Sequence, residues 1–366
     1  MTKAAELAKM GEVLTNSQIG GRRNIIINGA MQVAQRGTSS TGLGATGGYY
    51  TTDRFLIDFG STAGRLTMSQ STDAPNGFAN SLKLDCTTAD TSIAAGEYTH
   101  LQYRIEGQDL QQFKKGTSDA EKMTVSFYVK GNGNATYICE LYDGDNGRQI
   151  SKTFSVTSSW NRITLTYDGD TTGAFNNDNG LSLYLFFWIH AGSTWTGGTL
   201  SETWTAQTSN QRASSSGTSF FDSTDRTFFI TGLQMEVGSQ ATPFEHRSFG
   251  EELALCQRYY TQIANTESGA RYLGLLQPYA TTAVYGLIKN YPATMRTLPT
   301  VSQSGNFSAL AKNSAAGISG GGISSIGPTE HGWYTGGFTG GSNFIQGGSS
   351  VIQIEAGSKL MADAEL

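Results

Sequence analysis

Five consecutive residues, Asp143-Gly144-Asp145-Asn146-Gly147, place two carboxylates and an amide between glycines. Hard oxygen donors in so compact a loop suit calcium, which makes Asp143 and Asp145 the calcium candidates. The run lacks the full EF-hand pattern, and Asp-Gly pairs also build ordinary hairpin turns, so a turn is the primary expectation and no other cofactor is called for. Asp168-Gly169-Asp170 and Asn176-Asn177-Asp178-Asn179 read the same way. His100, His190, His246 and His331 stand too far apart to form a metal-binding motif in sequence, and His190, next to an aromatic run, is expected to be structural or at the surface. Glu106, Asp109, Glu140 and Asp143 supply acids, but glycoside cleavage needs two carboxyls across a substrate at a restricted separation, which the spacing does not establish. There is no GxxxxGK phosphate loop and no nucleophile-elbow context around a serine, so a non-enzymatic protein is expected. Trp195, Trp204 and Trp333 lie in polar surroundings. Rings so placed can stack on sugar C–H faces while nearby amides and carboxylates select hydroxyls, and these three are the glycan-binding candidates.

The elements that must carry these residues are short strands. Val125 and Phe127 alternate with Ser126 and Tyr128 in the run 122–130, a period of two that fits a sheet lying on an apolar core. Runs at 135–143, 161–168, 181–189 and 227–237 add further strands, separated by the Asp/Gly and Asn/Asp turns. Tyr184-Leu185-Phe186-Phe187-Trp188-Ile189 reads as a strand with one or both faces covered, and Trp188 as a packing residue. Repeated strands without long intervening helices favour an antiparallel, jelly-roll-like β-sandwich. Residues 3–14 have amphipathic spacing, giving an expected N-terminal helical attachment segment over 1–21. The sandwich is expected over 22–247, and a short helix from Glu251 leads into a smaller β-rich module over 248–366.

Composition narrows the function classes. Of 366 residues, 15% are charged, with 25 basic against 30 acidic side chains, so there is no concentrated positive surface to expect on a nucleic-acid binder. Aromatic residues at 11% provide material for cores. Three widely spaced cysteines, Cys86, Cys139 and Cys256, point to buried free thiols. The opening residues do not read as a signal peptide, and no apolar run approaches the roughly 20 residues that cross a bilayer, so no membrane insertion is expected.

Several segments carry a family resemblance: Asn24-Ile25-Ile26-Ile27-Asn28-Gly29-Ala30-Met31-Gln32-Val33-Ala34-Gln35-Arg36-Gly37, then Tyr50-Thr51-Thr52-Asp53-Arg54-Phe55, and later Thr231-Gly232-Leu233-Gln234-Met235-Glu236-Val237-Gly238. Ala241-Thr242-Pro243-Phe244-Glu245-His246-Arg247 and Leu255-Cys256-Gln257-Arg258-Tyr259-Tyr260 complete the set. Together they resemble virion structural or tail-fibre proteins of tailed bacteriophages. The resemblance implies a β-sandwich shaped like carbohydrate-binding modules, used as a tail or head fibre or decoration subunit on the virion surface. It also implies self-association, commonly as a homotrimer, with other virion proteins and a host surface glycan as further partners. Within these segments Arg36, Asp53, Arg54, Glu245 and Arg247 are expected to form a structural polar clamp, because charged groups near a core must keep polar partners when buried.

Overall fold

The computed structural model describes residues 3–4, 23–280, 283–311, 318–321, 323–338 and 344–366. Contacts divide the chain into one unit over Met1–Glu252 together with Leu366, and a second over Leu253–Glu365.

The first unit is a sandwich of two six-stranded antiparallel sheets. One contains β1 (Ser39–Leu43), β3 (Arg65–Ser71), β4 (Ser81–Thr88), β6 (Met123–Gly131), β9 (Asn161–Tyr167) and β12 (Thr227–Val237), in the order β1-β3-β4-β12-β6-β9. The other contains β2 (Phe55–Gly60), β5 (Tyr98–Glu106), β7 (Ala135–Asp143), β8 (Arg148–Val156), β10 (Leu181–Ala191) and β11 (Thr205–Ala206), in the order β11-β8-β7-β10-β5-β2. Alternation sorts the side chains. Val125, Phe127 and Val129 of β6 and Leu183, Leu185, Phe187 and Ile189 of β10 enter the shared core, where Phe127 meets Phe187 edge-on at 5.1 Å. Leu185 stands opposite Tyr103 on one neighbouring strand and Leu141 on the other, so β10 is central to its sheet.

Gly232 interrupts the alternation of β12. Phe228 and Ile230 point inward before it, Leu233 and Met235 after it, and pairing with β6 shifts register between Thr231 and Gln234. An extra residue at a bulge moves the apolar set from even to odd positions while keeping it inside. The φ of Gly232 is 62°, and a Cβ there would lie 2.7 Å from Phe78 and 2.9 Å from Tyr128, so the position demands glycine.

The second unit has its own core, with Val284, Phe307, Trp333, Ile352 and Leu360 among its buried residues. Its strands form a three-stranded and a seven-stranded antiparallel sheet.

One expectation is corrected here. Besides Lys3 and Ala4, which are helical, the described helices are α1 (Ser193–Thr196) and α2 (Phe249–Gln257), with 3-10 turns at Gly107–Phe113 and Ser209–Gln211, so among the described residues helix lies mainly mid-chain and toward the second unit, and an N-terminal helical anchor is not part of the described fold. The segment assigned to that anchor, apart from Lys3 and Ala4, falls outside the described residues. Amphipathic spacing over about three turns is a weak basis for a helix, because nucleation costs more than so few hydrogen bonds return without tertiary packing. Helix α2 starts with Glu251 and Glu252 in its first turn, where carboxylates favour the positive end of the helix dipole.

Candidate functional site

The outward face of the second sheet carries the most distinctive side-chain arrangement. The strand positions that alternate with the core residues bring Tyr184, Phe186 and Trp188 of β10 into line, with Ile138, Glu140 and Tyr142 of β7 on one side and Tyr98, His100, Gln102 and Arg104 of β5 on the other. Tyr184 stacks beside Phe186 at 5.3 Å and 13°, and Tyr142 lies 5.5 Å from Tyr184. His100 stands 4.7 Å from both Phe186 and Trp188 and stacks on Tyr98 at 4.9 Å. Trp195 of α1 extends the row, 5.4 Å from both Tyr98 and Trp188. Tyr98, Tyr142, Tyr184 and Trp195 are half-buried and reach solvent, whereas Phe186, Trp188 and His100 form the floor.

Arg212 holds this face together. Its guanidinium lies 5.0 Å from the Tyr142 and Phe186 rings and 5.1 Å from Trp188, and its Nε donates to Glu140 Oε1 at 2.8 Å. Cation–π attraction and a buried ion pair thus converge on one side chain. Glu140 is fully buried and also accepts the Trp188 indole N–H at 2.7 Å. Burial pushes its carboxyl up, against the opposing pull of Arg212 and Trp188. Burial, followed by the Arg212 charge, pushes the His100 imidazole down to about 3, so it is neutral at physiological pH and behaves as an aromatic ring. A polar row borders the aromatic one: Gln102 Nε2 contacts His100 Nδ1 at 3.2 Å and donates to Asp58 Oδ2 at 3.3 Å, while Arg104 Nε donates to Gln102 Oε1 at 3.1 Å.

The residues singled out from sequence fall in several places. Trp195 belongs to the aromatic row. Trp204 instead donates to the Asp168 carbonyl at 2.7 Å and has Lys115 over its ring at 5.5 Å. Trp333 is 1% exposed and packs edge-on against Tyr291 at 4.4 Å in the core of the second unit. The three tryptophans therefore share no surface.

Asp143 is fully buried, and its Oδ2 meets the Lys115 ammonium at 2.6 Å while its Oδ1 accepts the backbone N–H groups of Asp145 and Asn146. Lys115 also contacts Asp170 Oδ2 at 3.1 Å and donates to the carbonyls of Thr172 and Gly173. Burial works against ionisation of Asp170, but Arg148, the Thr172 N–H and Lys115 together hold its carboxyl below the usual range. Asp145 turns away and accepts Asn176 N and Nδ2 at 3.0 and 2.8 Å. The Lys115 ammonium thus provides the positive charge at this turn and binds the oxygen types that calcium would take.

The resemblance segments form a polar network. Asn24 donates to the Leu233 carbonyl and accepts the N–H groups of Ile26 and Met235, Glu245 accepts those of Arg23 and Asn24 at 2.7 Å, and Arg247 donates to the carbonyls of Asn24 and Ile26 and pairs with Glu252 at 3.3 Å. Asn28 connects this group to the next: its N–H goes to Glu252, and its side chain donates to the carbonyls of Val33 and Asp53. Asp53 accepts both the backbone and the side-chain amide of Gln35, and buried Arg54 donates to the Arg104 carbonyl at 2.8 Å. The Arg36 guanidinium lies 5.3 Å over the Tyr49 ring.

A further cluster has no sequence motif. Asp90, Glu97 and His190 are all buried, with one ligand atom from each lying within 4.8 Å of the others, a set that could hold a metal ion. Only antiparallel pairing of β5 with β10 and the path of the 89–97 loop bring them together, which is why spacing in sequence could not reveal them. Among the described residues no helix is long and apolar enough to cross a membrane.

No family model and no curated protein matches the sequence. Solved structures with distant similarity include the enzymatically active domain of bacteriophage CBA120 tailspike protein 4, at 11% identity and TM-score 0.30, over 58% of this chain and 21% of that one. The chain thus spans about a fifth of that tailspike structure. Others are a family 11 carbohydrate-binding module from Clostridium thermocellum in complex with a mixed-linked tetrasaccharide, at 10% identity and TM-score 0.27, and a family 30 carbohydrate-binding module, at 10% and 0.30. These cover 56% and 62% of this chain and 98% and 93% of theirs, similarity too distant to transfer a residue role or an activity.

Proposed function

We propose that the protein is a non-enzymatic carbohydrate-binding β-sandwich whose binding face is the outward surface of the second sheet. The observation that carries this reading is the row of half-buried rings, Tyr142, Tyr184, Tyr98 and Trp195, set on a rigid floor and bordered by Asp58 and Gln102. Sugar rings present C–H faces that stack on aromatic side chains, and amide and carboxylate groups beside them fix hydroxyl orientation. The rings sit on paired strands and are packed by Arg212, so little side-chain entropy is lost on binding. The buried carboxylate of the face, Glu140, is engaged by Arg212 and Trp188, which suits a structural acid better than a proton donor to substrate.

The resemblance of residues 24–260 to phage virion proteins supports placing this binding on a virion surface or appendage, with a host glycan as ligand. Other virion proteins and further copies of the chain, a trimer favoured, would then be partners. Several weak sites presented together gain avidity when their geometry allows simultaneous engagement.

The test is binding to a panel of bacterial surface polysaccharides, by affinity electrophoresis and calorimetry. The wild-type chain should bind at least one, and Tyr142→Ala or Tyr184→Ala should weaken that binding about tenfold, the effect of losing roughly 1.4 kcal/mol of contact, with circular dichroism unchanged. Failure of the wild type to bind any, or retention of full affinity by both folded variants, rejects this face.

A further inference from the structure

We infer that Asp90, Glu97 and His190 bind a single divalent transition metal ion of the Zn2+ class where the 89–97 loop meets the end of β10. Asp90 lies just beyond β4, Glu97 immediately precedes β5 and His190 is near the end of β10. Their exposures are 6%, 7% and 1%, so each donor is held in a site largely shielded from water.

The imidazole carries the argument. His190 Nε2 and Glu97 Oε2 are both buried without a hydrogen-bond partner, although they lie 3.5 Å apart. That separation is long for an N–H···O bond. It is close to the roughly 3.4 Å edge of a tetrahedron of donors set about 2.0–2.1 Å from an ion. The other ring nitrogen, Nδ1, is 2.8 Å from Ser219 Oγ, which also accepts the Phe221 N–H at 3.0 Å. A proton on Nδ1 directed to Ser219 leaves the Nε2 lone pair facing the two carboxylates, the outer-shell arrangement that orients a metal-bound histidine.

Asp90 is fixed in the same way. Its Oδ2 accepts Thr62 Oγ1 at 2.9 Å and Ala63 N at 2.8 Å. Among the described residues neither Asp90 nor Glu97 pairs with a lysine or arginine. Two buried carboxylates that no lysine or arginine meets among the described residues call for a compensating positive charge, and a divalent ion bound by the imidazole supplies it. This contrasts with Asp143 and Asp170, where Lys115 meets the same requirement. One nitrogen and two carboxylate donors suit zinc-like ions, whereas calcium prefers an all-oxygen shell of six to eight ligands. Residues 91–96 above the cluster are exposed, leaving a short route from solvent.

Such an ion would fasten the 89–97 loop to the end of β10. The test uses the untagged full chain, stripped with EDTA and titrated with ZnCl2 by calorimetry and with CoCl2 by visible absorption. The expected result is uptake of one equivalent, cobalt d–d bands of a low-coordinate nitrogen/oxygen site, and a Tm rise of about 5 °C at a hundredfold excess over Kd. His190→Asn and Glu97→Gln should each weaken binding by about 100-fold. The wild-type titration stands even if a variant fails to fold. Three outcomes overturn the inference: no zinc or cobalt uptake by the wild type at millimolar concentration, uptake of calcium in preference to zinc, or unchanged affinity in both folded variants.

Discussion

Lys115 and His100 are buried side chains with opposite solutions to the cost of charge. Lys115 stays among two carboxylates and two carbonyls, so its ammonium is paired on every side. His100 sits among aromatic rings with Arg212 nearby and avoids charge, its pKa pushed down to about 3 by burial first and the guanidinium second. In the unfolded chain the imidazole titrates near about 6.5, so between these values the unfolded state binds the extra proton. The contribution to stability is therefore fully present above about pH 6.5 and is lost as pH falls toward about 3. The wild type should lose up to about 1.4 kcal/mol per pH unit in that window from this group, and His100→Gln should flatten the profile by a corresponding amount. Denaturant unfolding of both proteins at several pH values measures the difference, and parallel profiles would show that His100 takes up its proton in the folded state.

Elements are joined by the segments that gave the family resemblance. Residues 24–28 have no strand of their own, yet Asn24 and Arg247 satisfy their backbone groups and bind them to β12 and α2. Arg247 is 4% exposed at its side chain, and removing it would leave buried Glu252 without its ion-pair partner and two carbonyls without their donor. Arg247→Ala should therefore cost about 3 kcal/mol, read as a lowered midpoint in denaturant unfolding, whereas a solvent-screened pair would cost under about 1 kcal/mol. The same segments contain Gly232, whose bulge lets one strand present Phe228 and Ile230 and then Leu233 and Met235 to one core. Much of what the resemblance rests on is thus the chemistry of closing a sandwich. The rings on its outward face come from β5, β7 and β10, largely outside those segments.

At the scale of the whole molecule, the two units have separate buried clusters, one built around Leu185, Phe127 and Phe187 and the other around Trp333, Phe307 and Ile352. Independent cores predict two transitions in calorimetry. Leu185→Ala, which removes a fully buried side chain from the centre of the first core, should cost about 2–5 kcal/mol and lower only the transition of that unit. A single transition that moves as a whole would show that the units unfold together.

The β character of the chain is legible because the period of two along 122–130 survives any arrangement of neighbours: side chains on a strand alternate regardless of which strand pairs with it. The aromatic run at 184–189 likewise reads as a strand with one or both faces covered, its β-branched and aromatic residues and its short length favouring a strand over a buried helix. The proposed N-terminal helix shows the limit, for a brief amphipathic spacing carries no information about whether anything packs against it. Of the residues in the proposed sites, sequence singles out only Trp195 as a binding candidate, and the assembly of those sites depended on the tertiary structure. Asp143 and Asp145 look like a pair of ligands in sequence because only Gly144 separates them, but Lys115 reaches Asp143 from 28 residues away while Asp145 accepts from Asn176. Asp90, Glu97 and His190 show no pattern in sequence and meet because the pairing of β5 with β10 and the return of the 89–97 loop set them side by side. Local periodicity is written by the backbone and can be read from one strand, whereas the balance of buried charge is settled between strands, by whichever partners the fold brings within reach.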